Sequence, residues 1–398
     1  MTFYRTTRLM LSSAAFLTFA GSAFALDGTD LLKKINAAYN LQGGSITAES
    51  IDVAGTTVTL KGASFKPTDS GSEGFKLGDI VLTGVEEDED GSYYIEEAAF
   101  PNVNTTQEGV TISAQDMTLG GISVPADVTA QGLDSMLLYE TAHSGPFKVT
   151  KDGGEVFSLS ETNVNLTLRE DESGFDFDGA FKDLKADLSK TEDAESKEAI
   201  QKLALEHVQG DVTTKGSWEL APGTISIDEL ALDLANVGRL NMSFSFSGYT
   251  LQFVKSLQDT IKASEANPNK EEAQQAAGIA MLGLMQQLSF NKAAIRFDDA
   301  SITQRALDYA GSKQGVSGKQ MSDSLKALAP LMLAQLNIPE LQNAASAAIS
   351  TYLDSPKNFT VSAKPAQPVP FPMIAGAAMG APNTLPQVLG VTVTANSQ

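Results

Sequence analysis

The strongest constraint on the fold is the alternation in residues 224–249, TISIDELALDLANVGRLNMSFSFSGY. Leu230, Leu232 and Leu234 alternate with Ala231 and Asp233; Leu240, Met242, Phe244 and Phe246 alternate with Asn241, Ser243 and Ser245. Successive side chains of a strand point to opposite faces, so a period of two marks strands that are apolar on one side. Asn236-Val237-Gly238 supplies residues that accept positive φ, and the two runs read as a hairpin. Ile225 and Ile227 hold the other parity, so a bulge or short turn near Asp228-Glu229 must shift the register. The expectation is that the Leu/Phe parity is buried and the Ser/Asn parity is wet. One amphipathic hairpin does not stand alone in water; it needs more strands beside it and apolar cover.

The same pattern recurs along the chain. Strand-like runs occupy 57–61, 75–85, 93–100, 110–120, 156–168 and 174–181, with Gly, Asp and Asn between them as turn chemistry. A loose echo of short strand, polar pair and second strand links FKLGDIVLTGV, VTISAQDMTLGGI, VFSLSETNVNLTL and ISIDELALDLANV. Helical periodicity appears at 27–40, with Thr29 as cap and Leu31, Leu32, Ile35 and Ala38 as the stripe. It returns at 191–207, 251–263 and 270–288, then at 302–310, 318–336 and 339–353. Pro330 is expected to kink or divide the second of that last group. Strands are expected at 291–300, 358–363 and 389–395, and 366–372 (AQPVPFP) reads as extended. The fold expected is α+β: an extended antiparallel β-sheet of amphipathic hairpins, helices packed on one face, and a helical C-terminal cluster. The divisions are a leader at 1–25, a mainly β region at 26–190, and a β plus helical region at 191–398 continuous with the first sheet.

Residues 1–25 have the form of a secretory signal. Arg5 and Arg8 precede the apolar run 9–19, and Ala23-Phe24-Ala25 offers a small-x-small cleavage site. Cleavage after Ala25 and delivery to the periplasm follow as expectations, with no transmembrane segment in the mature chain. The apolar run 327–336 is too short to span a bilayer. Lys and Arg number 28 against 49 Asp and Glu, a net charge of −21. That balance argues against nucleic acid, which selects a basic surface. With no Cys in the chain, disulfides, thiolate metal sites and Cys nucleophiles are excluded.

The search for chemistry is short. His143 and His207 lack ligand spacing to a partner, and His207 falls in the run expected to be helical. No zincin, Walker A, dinucleotide or nucleophile-elbow motif occurs. Residues 289–292 (SFNK) fit S-x-x-K without a K-T-G partner, so a hydrolase has only that spacing behind it. Glu86, Glu87, Asp88, Glu89 and Asp90 could supply hard oxygens to calcium, yet they lack the alternation of an EF-hand and read as a solvated hairpin tip. Asp298 and Asp299 are adjacent on a strand and point apart; a helix cap by Asp299 or Ser301 fits better. No cofactor, metal or catalytic constellation is expected.

The block IRFDDASITQRALDYAGSKQGVS, with LDSPKNFTVSAKPAQPVPF and the ending LGVTVTAN, resembles an uncharacterised family of alphaproteobacterial periplasmic proteins. The leucine-alternating hairpin at 226–248 is also similar to strands of AsmA-type envelope proteins, a resemblance that implies lipid transport or outer-membrane assembly. The function expected is that of an exported periplasmic protein that binds lipid or another apolar ligand in envelope maintenance. The alternative is a structural or assembly partner of other envelope proteins, with no small ligand. For the first reading, Met281, Leu284 and Met285 are the candidate ligand contacts, since i, i+3 and i+4 share a helix face and Met repacks readily.

Overall fold

The computed structural model describes residues 26–39, 44–67, 74–128 and 132–397. It is α+β, with antiparallel strand pairing. The leader and its cleavage site lie outside the described residues. The chain forms two compact units. The first takes the described residues up to Pro101, with Leu119–Glu140 and Leu168–Gly174. The second takes Asn102–Thr118, Thr141–Thr167 and the stretch from Phe175 onward.

In the first unit the helix Gly28–Tyr39 lies on the strands Thr57–Pro67, Phe75–Glu87, Tyr93–Phe100 and Met117–Val124. Leu31 and Ile35 join Val58, Leu60, Ile80, Leu82, Val85, Ile95 and Val124 in a dry core. The cap is Asp27, not Thr29. Asp27 Oδ1 accepts from the backbone N–H of Thr29 at 2.9 Å and of Asp30 at 3.1 Å, so the cap lies two residues before Thr29. A polar clasp fastens helix to sheet: Tyr93 Oη donates to Asp30 Oδ2 at 3.0 Å, and Lys34 Nζ lies 2.6 Å from the same oxygen. Lys34 also sits over the Tyr93 ring. Its hydrogen bond is the main cause holding the Asp30 carboxyl below the ordinary range. Burial, and next the hydrogen bond to Asp30, push the Tyr93 phenol up.

In the second unit the strands His207–Glu219, Thr224–Leu234, Gly238–Ser247, Ser289–Asp299, Asn358–Ala363 and Val391–Ala395 pair in that order. The expected hairpin is the second and third of these. Its turn carries Asn236 at φ 58°, and the register shifts by one residue between Ile227 and Leu230, where the parity change required it. Helices Leu251–Ala266 and Lys270–Met285 are inserted before Ser289. Ile302–Lys313, Gly318–Gln335 and Pro339–Asp354 come before Asn358, and Phe371–Gly380 comes before the last strand.

Three local expectations change. The helix expected at 191–207 is Ala194–Lys202, and His207 opens a strand instead. Val212, Thr214 and Trp218 find partners in Leu232, Leu230 and Ile225, and that pairing outweighs the helical composition before it. Helix Gly318–Gln335 runs through Pro330 undivided. Residues 366–372 are extended only at Val369–Pro370, and Phe371 begins a helix with Pro at its start, where the missing N–H costs nothing.

Candidate functional site

Directly paired residues of antiparallel strands share a face, so the register lays out the sheet surface row by row. One row is Leu232, Leu240, Phe297 and Phe359. The next is Leu230, Met242, Ile295, Val361 and Val393. Ile227, Phe244, Ala293, Ala363 and Val391 follow, and then Ile225, Phe246 and Phe290. The bulge keeps Ile225 and Ile227 on this face. Five strands at about 4.8 Å spacing make an apolar surface roughly 19 Å wide.

Its two ends are closed. At one, Phe175, Trp218, Tyr249, Phe253 and Phe246 form a chain of ring contacts, and Trp218 Nε1 donates to the Tyr249 carbonyl at 2.8 Å. Thr250 caps the helix that carries Phe253. At the other, Tyr352 of helix Pro339–Asp354 packs on Phe359 with ring centroids 5.6 Å apart, and its hydroxyl meets Thr303 Oγ1. The middle is open: Phe244 is 40 % exposed, Ile295 53 % and Val361 38 %.

At Ala231 and Ser245 the opposite parity is the covered one, against the sequence expectation for this hairpin. Ser245 is 4 % exposed, and Ala231 is buried. Ser226 Oγ and Asn291 Nδ2 donate to Ser245 Oγ at 2.9 and 3.3 Å. Long charged side chains run over these small residues. Arg239 pairs with Glu229 and Asp233, Arg296 with Asp298, and Lys292 with Asp228. Alternation showed which residues share a face; it carried no information on which face the helices leave open.

The three candidate contacts on helix Lys270–Met285 separate. Leu284 is buried, while Met281 and Met285 are exposed. The helix is not buried as a whole, because Ile279 and Leu282 face solvent. The residues that the sequence reading missed are those of the open face, Ile295 and Val361 above all; their signal was period two in 289–299 and 358–363, read across strands through the register.

Elsewhere several of the carboxylates and both histidines have side-chain neighbours. The 86–91 stretch is an exposed hairpin tip, with Asp90 Oδ1 accepting from Ser92 and Lys34 Nζ donating to the Gly91 carbonyl. No cluster of three or more metal-capable side chains occurs among the described residues. Asp299, rather than Ser301, caps the following helix through Thr303 N at 2.8 Å. A groove of about 250 Å³, lined by residues including Glu155, Val156, Lys185, Asp187, His207 and Val208, is open to solvent. His143 Nδ1 lies 2.8 Å from Asn163 Oδ1. Among the described residues, no helix is long and apolar enough to cross a membrane.

No curated protein matches the chain. Residues 231–396 match the model of a family described as "Uncharacterized protein", and that stretch holds most of the open apolar face together with the helices between its strands.

Proposed function

We propose that this chain is an exported envelope protein that holds an acyl chain of a lipid against the open apolar face. One observation carries the reading: Phe244, Ile295 and Val361 form an exposed apolar band between two closed ends, while the small polar residues behind them are covered. Soluble chains rarely leave a contiguous apolar surface bare without a use for it. The face suits an aliphatic ligand: it is aromatic and branched, with no ionisable group in any of its rows. The leader-like residues 1–25 place the protein in the periplasm on this reading. The thermal midpoint measured with and without added long-chain fatty acid or phospholipid tests it. A ligand that binds the folded state raises the midpoint in proportion to the logarithm of its concentration. The wild type should respond and Ile295→Asp should not. Equal curves for the wild type with and without lipid would remove the proposal in favour of an assembly role without a small ligand.

A further inference from the structure

The two closed ends of the apolar face stand a fixed distance apart. At one, Phe246 and Phe290 share a row with Val369, which is buried, and Phe246 meets the ring of Tyr249 at 6.1 Å. At the other, Leu240, Phe297 and Phe359 form the row on which Tyr352 packs. Phe246 lies six residues beyond Leu240 on the strand Gly238–Ser247, and the extra residue of each bulge falls on a neighbouring strand. At about 3.3 Å a residue the two rows are about 20 Å apart. The helix Pro339–Asp354, which carries Tyr352, also packs against the outermost strand, Val391–Ala395. It bounds the band along that edge as well, so the open run lies parallel to the strands, over Phe244, Ile295 and Val361.

We infer that, on the reading of this face as a lipid site, Tyr352 is the stop that sets the length of acyl chain it takes. Carbon–carbon bonds of about 1.5 Å at near-tetrahedral angles advance an extended chain by about 1.25 Å per carbon. About 16 carbons therefore span the distance between the rows, and about 12 fit clear of the contact radii of both walls. The ligand class is an unbranched acyl chain within those limits. Tyr352 suits the role because its ring is fixed twice. It lies on Phe359 with centroids 5.6 Å apart, and its hydroxyl is 2.5 Å from Thr303 Oγ1. Thr303 is held in turn, its backbone N–H donating to Asp299 Oδ1 at 2.8 Å. Each methylene laid on the face leaves water and adds to affinity; a methylene beyond the stop stays wet and adds nothing.

Displacement of a fluorescent fatty acid by laurate, palmitate and behenate tests this. From laurate to palmitate the wild type should gain about two- to fourfold in affinity per methylene. From palmitate to behenate it should gain less than about twofold in all. Tyr352→Ala should carry the gain on to behenate. Tyr352→Phe, which keeps the ring and loses only the hydroxyl, should keep the break at palmitate. A wild type whose gain continues to behenate, or a break that Tyr352→Ala leaves in place, overturns the assignment of the stop while the lipid site stands. A wild type that binds none of the three acids removes the lipid site and the stop together. The wild-type series needs no variant, so the break itself remains the test even where Tyr352→Ala fails to fold.

Discussion

At Ser245 and Ile295 the same hairpin array offers opposite mutational outcomes. Ser245 is buried and already accepts two hydrogen bonds, so Ser245→Asp forces a larger, charged group into a filled position. The expected loss is about 3 kcal/mol or more in urea unfolding. Ile295→Asp faces water and should cost about 1 kcal/mol or less. Equal losses would mean that the open band is closed in solution. The Tyr93, Asp30 and Lys34 clasp predicts a pH profile. The Asp30 carboxyl is depressed by Lys34, so its contribution is present above the ordinary carboxylate value of about 3.9 and is lost as pH falls below it. The Tyr93 phenol is raised by burial, so its contribution is complete below about pH 10 and is lost as pH rises further. Tyr93→Phe should flatten the alkaline limb of a stability-versus-pH curve; an unchanged limb would place the alkaline sensitivity elsewhere.

Among the elements, the hairpin was the most legible in sequence. Strict alternation defined its strands, Asn236 its turn, and the parity of Ile225 and Ile227 its bulge. Deleting Glu229 puts Ile227 two residues from Leu230, in plain alternation on the same face, so the hairpin should still fold, as read by circular dichroism; a lost fold would mean that the bulge itself is required. The strand His207–Glu219 was not legible, because Gly210, Gly216 and the polar run Thr213-Thr214-Lys215 dilute its alternation. It becomes a strand through its partner, not its own propensity. The helix Lys270–Met285 was legible as a helix, while its apolar composition did not say which of its residues would be buried. Gly278 and Gly283 stand in that helix with open space around their Cβ positions. Gly278→Ala and Gly283→Ala should each stabilise by about 0.5–1 kcal/mol, seen as a raised unfolding midpoint. A loss instead would mean that something packs on that side of the helix in solution.

For the molecule as a whole, the two units bury their apolar residues differently. The first closes a dry core beneath the helix Gly28–Tyr39, and its parity obeys the usual rule. The second ends in strands whose apolar side is sealed at both ends and open between them, and whose polar side is covered by its own ion pairs. The sequence showed the first arrangement and, by the same logic, expected it of the second. Alternation is identical in both cases; what differs is where the inserted helices come to rest, a tertiary outcome that no local pattern encodes. The central claim is that a lipid chain fills the open band. Native mass spectrometry of the protein purified from its own cell envelope, with extraction and identification of what it carries, tests that claim most directly. A stoichiometric lipid or fatty acid on the wild type, absent from a folded Ile295→Asp variant, is the result expected; a wild-type protein that arrives empty, or one whose lipid remains on the variant, contradicts it.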